Sequence, residues 1–178
     1  HEHLAAHNIE LEQKVERRTQ KLAEALAQSR VAEQRTLASE HRFRTLVETM
    51  VDPVWSLDPD TLSFVYVSPS ITQFNGWLPD NAAQQPMGRH MLPADDARLS
   101  AVVRERAKAF RAGELDQSCV FVDEMQQLRR DGTLIDVETR SSFVVDVQTQ
   151  ELRLQGISRD ITKRLQLQRE LKESVRQL

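Results

Sequence analysis

The sequence predicts an α+β domain: a five-stranded antiparallel sheet with helices on one face, preceded by a long coiled-coil helix and followed by a C-terminal output helix. Three observations carry that expectation. Residues 4–42 contain neither Pro nor Gly and are dominated by Ala, Glu, Gln, Arg and Leu, all strong helix formers. Residues 43–162 hold five strand-like runs, two early and three late, separated by turn signals and one longer helical stretch. Residues 163–178 return to a helical pattern. The expected organisation is therefore 1–42, 43–162 and 163–178.

In the first segment a heptad frame places Leu4, Leu11, Val15 and Leu22 on one seam, together with Ala25, Ala32 and Phe43. Asn8, Arg18, Ser29, Thr36 and Ser39 interrupt it, and Leu26 and Leu37 lie off it, so the middle is weak and a register shift is expected there. A helix this long has no core of its own and needs a partner. A parallel homodimer is the favoured reading, and a helix folded back on the domain is the other. Seven Lys/Arg balance seven Asp/Glu over residues 1–42. That balance argues against a nucleic-acid-binding basic helix, which needs a sustained positive excess to displace counterions from phosphates.

The central segment opens with "HRFRTLVETMVDP", read as a short amphipathic helix stopped at Pro53. "VWSLD" and "LSFVYVS" read as strands joined by an Asp-Pro turn. "PSITQFNGW" reads as a short helix closing at Gly76, and 78–96 as irregular or single turns. "ADDARLSAVVRERAKAFRAG" is a clear helix, acidic at its start and basic later, with Gly113 after its end. The last three strands are "QSCVFVDEMQQLRR", "LIDVETRSSFVV" and "ELRLQGISR", the first two flanking an Asp131-Gly132 hairpin signal. This segment carries a net charge of −6, and residues 163–178 carry +3.

The order and the residues resemble the PAS sensor-domain family over nearly all of 43–162. "FRTLVETMVDPVWSLD" is similar to its opening helix and first strand, and "FVYVSPSITQFNGW" to its second strand and first short helix. "LPADDARL" resembles the His-Pro-Asp-Asp entry to its long helix, "EMQQLRRDGTLIDVE" its hairpin, and "GISRDITKR" its closing strand with an Asp-Ile-Thr junction. The helix "LEQKVERRTQKL" similarly resembles signalling helices of bacterial sensor kinases and cyclic-dinucleotide enzymes. The resemblance implies a sensory or relay module of such a protein, dimerising through its helices. A signal carried by a ligand or by the incoming helix would pass through the sheet and Asp160, Ile161 and Thr162 to an output domain in the same parent chain. A ligandless dimerisation or spacer module is the alternative.

Enzyme chemistry is not expected of this segment itself. It holds no Gly-rich phosphate loop, no paired Cys, no His-Glu-x-x-His and no nucleophile elbow. His3 and His7 have metal-ligand spacing on a helix but sit at a terminus, where a solvated role is the better reading; no metal is expected. His90 reads as a surface or supporting residue. Flavin-binding relatives carry a reactive Cys on the short helices, absent here; Cys119 falls on a predicted strand. Haem-binding relatives carry a His on the long helix, also absent. Haem and flavin are both disfavoured and no cofactor is identifiable.

An unknown small molecule in a cavity between sheet and helices stays open. Candidate lining residues are Trp55, Phe64, Tyr66 and Phe74, then Trp77, Met87, Met91, Phe121 and Phe143, which equally make an ordinary core. No apolar run is long enough to span a membrane, and a lone cysteine suits a reducing compartment. A cytoplasmic place is expected, without direct membrane contact in this segment; the parent is expected to be longer and could be anchored upstream. In the last helix Leu167, Leu171, Ser174 and Leu178 fit one seam while Leu171, Val175 and Leu178 fit another, the pattern a helix pair with two registers would have. Leu171 and Leu178 are the dimer-helix candidates there.

Overall fold

The computed structural model describes residues 2–83 and 85–176, with side chains from residue 7 onward. Two compact units divide at Leu46 and Val47. The first is helical: α1 runs without a break from Glu2 to Thr49. The short helix expected at 43 is thus the last part of α1. No Pro or Gly occurs between Leu4 and Val51, so nothing in the chain interrupts propagation before Pro53.

The second unit contains β1 (Val54–Asp58), β2 (Ser63–Val67), α2 (Ile71–Asn75), α3 (Pro79–Ala82), a 3₁₀ turn at Met87–His90, and α4 (Pro93–Arg111). Then follow β3 (Phe121–Leu128), β4 (Leu134–Val145), β5 (Leu152–Asp160) and α5 (Thr162–Arg176). The strands form one antiparallel sheet in the order β2-β1-β5-β4-β3. The two early strands therefore join the three late ones through β1–β5 pairing.

Local chemistry accounts for most boundaries. Asp58 accepts from the backbone N–H of Asp60 and closes the β1–β2 turn. Gly76, at φ +83°, ends α2 in the left-handed conformation and donates its N–H to the Thr72 carbonyl. Pro93 starts α4, Asp95 and Asp96 lie in its first turn, and Lys108 and Arg111 in its last. Cys119 lies outside β3, against expectation. The Asp116 carboxylate accepts from the Ser118 N–H and hydroxyl, which folds 116–118 into a turn and delays the strand to Phe121.

The core lies between one sheet face and α2 to α4. Leu57, Val137, Phe143 and Leu154 come from strands, Phe74 from α2, and Leu99 and Val103 from α4. Phe143 is fully buried and meets the rings of Phe110 and Phe121 at 5.4 and 5.9 Å. Among the described residues no helix is long and apolar enough to cross a membrane.

Candidate functional site: a mostly apolar cavity and the strand-to-helix junction

A cavity of about 70 Å³ sits between the sheet and the short helices. Leu57, Phe64, Val67, Ile71, Phe74, Met87, Leu99, Val103, Met125 and Leu154 make its wall mostly apolar. Of the expected lining residues, Trp55, Phe64, Phe74, Met87 and Met91 border it. Phe121 and Phe143 stay in the adjoining core.

Tyr66 does not reach the cavity and is exposed. Its expectation rested on sharing alternation with Phe64. A bulge breaks that alternation: Ser56 pairs with Tyr66 while the next residue, Leu57, pairs with Phe64. The extra residue, Val65, turns Tyr66 to the outer face while Phe64 stays inside. Trp77 also lies off the cavity wall, packed in a tilted arrangement against the imidazole of His90 at 4.7 Å between ring centroids.

The polar part of the wall went unread in the sequence. Thr139 and Ser141 belong to the inward set of β4, which is otherwise Ile135, Val137 and Phe143. Asp123, Thr139 and Ser158 stand side by side on three adjacent strands. Ser158 accepts a 2.9 Å hydrogen bond from the Trp55 indole, and Asp123 holds Arg106 of α4 through two bonds of 2.6 and 2.9 Å. Arg106 also covers the Phe121 ring at 4.4 Å.

His90 is 6% exposed and borders the cavity, so of the surface and supporting positions expected for it the surface one does not hold. Both its ring nitrogens, like the Trp77 indole nitrogen, are buried with no hydrogen-bond partner among the described residues. Burial, with a smaller effect from the neighbouring Arg89 charge, holds its pKa below the ordinary histidine value.

The second candidate is the join between β5 and α5. Ile161 is buried at 2% exposure and its N–H donates to the Asp136 carbonyl at 2.8 Å. Asp160 accepts from the Thr162 N–H at 2.9 Å, so its carboxylate, one residue before the Ile161 carbonyl that takes the first helical bond, caps the first N–H of α5. Thr162 turns its hydroxyl oxygen to β4 and accepts from the Asp136 N–H at 3.0 Å. The basic first turn of α5 is compensated from the sheet: Arg164 reaches Glu124 and Glu138, each at 3.3 Å.

Arg129, just after β3, bridges two places. Its Nη2 donates to Asp160 at 2.9 Å and its Nε to the carbonyl of Phe74, a cavity residue, at 3.3 Å. The neighbouring Arg130 N–H donates to the carbonyl of Asn75 at 2.8 Å. Hydrogen bonds thus run from α2, on the cavity wall, through the start of the β3–β4 hairpin to the cap of α5.

On the helices, Leu11, Val15, Leu22, Leu167 and Leu171 are all exposed. The side chain of Leu4, that of His3, and Leu178 lie outside the described residues. No group of three or more His, Cys, Asp or Glu placed to hold a metal occurs among the described residues.

A family model described as "PAS fold" matches residues 41–161. The chain belongs to the PAS family. Solved structures agree on the PAS fold. The PAS domain of an HTR-like protein from Haloarcula marismortui is 20% identical, with 74% of this chain and 99% of that chain covered and a TM-score of 0.60. A sensory box histidine kinase/response regulator from Burkholderia thailandensis is 22% identical, with coverage of 77% and 99% and a TM-score of 0.52. The PAS domain of the Cronobacter turicensis RpfR quorum-sensing receptor, solved with BDSF, is 20% identical, with coverage of 65% and 99% and a TM-score of 0.50. No curated protein matches the chain. PAS domains are sensory, without catalytic activity of their own.

Proposed function

We propose that this chain is the sensory relay module of a bacterial signal-transduction protein, paired with a second copy through its helices. A signal borne by a ligand in the cavity, or by α1, alters the contacts between α2, the hairpin and the sheet. The Asp160-Ile161-Thr162 junction passes that change to α5 and then to an output domain of the parent chain, a kinase or a cyclic-dinucleotide enzyme. The RpfR domain shares the fold and was solved in complex with BDSF, which supports the ligand-borne form of this reading. The single cysteine supports a reducing, cytoplasmic setting.

The observation that carries this reading is the route Phe74 carbonyl, Arg129, Asp160, Thr162. One side chain holds both a cavity residue and the cap of the departing helix. Replacing Asp160 and Thr162 together with Ala tests it. Amide exchange in the first turn of α5 is expected to rise about fivefold, since cap loss is worth roughly 1 kcal/mol. The thermal midpoint of the sheet should fall by no more than a few degrees. Loss of the sheet in step with the helix contradicts a dedicated junction.

A second reading, a ligandless dimerisation module, draws support from the cavity's size. At about 70 Å³ it is smaller than the ~150 Å³ that admits benzene in an engineered cavity. Native mass spectrometry and a metabolite thermal-shift screen separate the two. A retained or stabilising molecule favours the sensor, and none favours the relay.

A further inference from the structure

His90 combines three properties: a ring buried at 6% exposure, a place on the cavity wall, and two ring nitrogens with no partner among the described residues. A buried imidazole without partners forfeits the hydrogen bonds it makes in water, which calls for an occupant to restore them. Trp77 packs against the imidazole and limits its rotation. Burial and, to a smaller degree, Arg89 both disfavour a charge on the ring. A neutral imidazole offers one N–H donor and one acceptor nitrogen.

The charges on the wall narrow the occupant further. Asp123 is the one carboxylate among the described lining residues, and it already holds Arg106 through two hydrogen bonds. Among the described residues no Lys or Arg lines the cavity. An anionic headgroup would therefore enter without a counter-charge, at a large desolvation penalty. Gln127 offers only a weak 3.8 Å contact from its Nε2 to the Met125 sulfur, and Thr139 a long 3.4 Å bond to the Asp123 carbonyl. Both keep hydrogen-bonding capacity for something else.

We propose that the cavity is built for a small uncharged amphipath, an alcohol, amide or hydroxyketone, whose polar head pairs with His90 while its short chain lies along Leu57, Phe74, Leu99 and Met125. This inference rests on the ligand-holding form of the sensory reading. It adds the ligand's class and its anchoring residue.

The test uses the 178-residue chain and three probes of matched length: 1-butanol, apolar 1-chlorobutane and anionic butyrate. Binding is read from the Trp77 indole and His90 imidazole signals in ¹H–¹⁵N NMR titrations, with methyl signals of Met125 as an independent reporter. The expected order is 1-butanol first, about fivefold tighter than 1-chlorobutane, as one net hydrogen bond provides, and at least tenfold tighter than butyrate. In His90→Leu, 1-chlorobutane should still bind while the preference for 1-butanol disappears.

Butyrate binding as tightly as 1-butanol overturns the proposal. So does a preference for the alcohol that survives in His90→Leu. Either result leaves a ligand-holding cavity intact. If none of the three probes, nor pressurised xenon, moves any cavity signal, the ligand-holding reading and this proposal both fail. A His90→Leu variant that does not fold is replaced by His90→Phe, whose ring can keep the Trp77 contact.

Discussion

Gly156 and Trp55 show how one missing side chain shapes the inner wall. A Cβ on Gly156 would stand 2.5 Å from the Trp55 ring and 2.8 Å from the Arg140 carbonyl. The empty position lets the indole lie across β5 and reach Ser158. Gly156→Ala is therefore expected to destabilise the domain by about 1–3 kcal/mol through overpacking, read as a lower urea midpoint. Combining it with Trp55→Leu should recover part of that loss; an additive double variant contradicts the clash. His90 gives a second residue-scale prediction. Its folded pKa lies below the unfolded value, so between the two the unfolded chain binds more protons. The titration of His90 then costs nothing above an unfolded pKa of about 6.5, and destabilises the fold progressively as pH falls below it. The urea midpoint should drop between about pH 7.5 and pH 5.5, and drop less in His90→Gln. An identical drop in the two proteins contradicts a neutral buried imidazole. Neither role was legible in the sequence. A lone histidine beside Met91 and a glycine in a strand carry no periodic signal, and their meaning comes from residues brought near by pairing.

The strand and helix order was readable because each boundary has local chemistry: Asp58 at its turn, Gly76 after α2, Pro93 before α4, and the Asp131-Gly132 hairpin. What escaped depended on neighbours. The bulge opposite Ser56 and Leu57 turned Tyr66 outward, and the Asp116 turn removed Cys119 from β3. At the junction, Asp160 and the inward Ile161 were foreseeable from their types. The bond from Asp136 N–H to Thr162 and the Arg164 pairs needed β4 and β3 in place. Arg164 is half-exposed, so its pairs are worth no more than about 1 kcal/mol. Arg164→Ala is expected to loosen the first turn of α5, seen by faster amide exchange there, with the thermal midpoint of the sheet within a few degrees of the parent. In 1 M NaCl, where the Debye length is ~3 Å, the variant and the parent should converge. A difference that persists in salt points to packing instead of charge.

At the scale of the molecule, α1 is a 48-residue helix whose Leu11, Val15 and Leu22 are exposed, as are Leu167 and Leu171 of α5. We expect two copies to bury these residues against each other. Sedimentation at micromolar concentration should give a two-chain mass, and Leu11→Asp with Val15→Asp and Leu22→Asp a one-chain mass with the thermal midpoint of residues 47–178 little changed. A parent chain that sediments as a monomer sinks the dimer. The proposed relay turns on Arg129, which holds Phe74 and Asp160 together. The most direct measurement is residue-resolved hydrogen exchange in the intact chain carrying Arg129→Ala. A relay predicts that amides of α2 and of the first turn of α5 lose protection together, while those of the β4–β5 pair keep theirs. Loss confined to α2, or no loss in either helix, would contradict it.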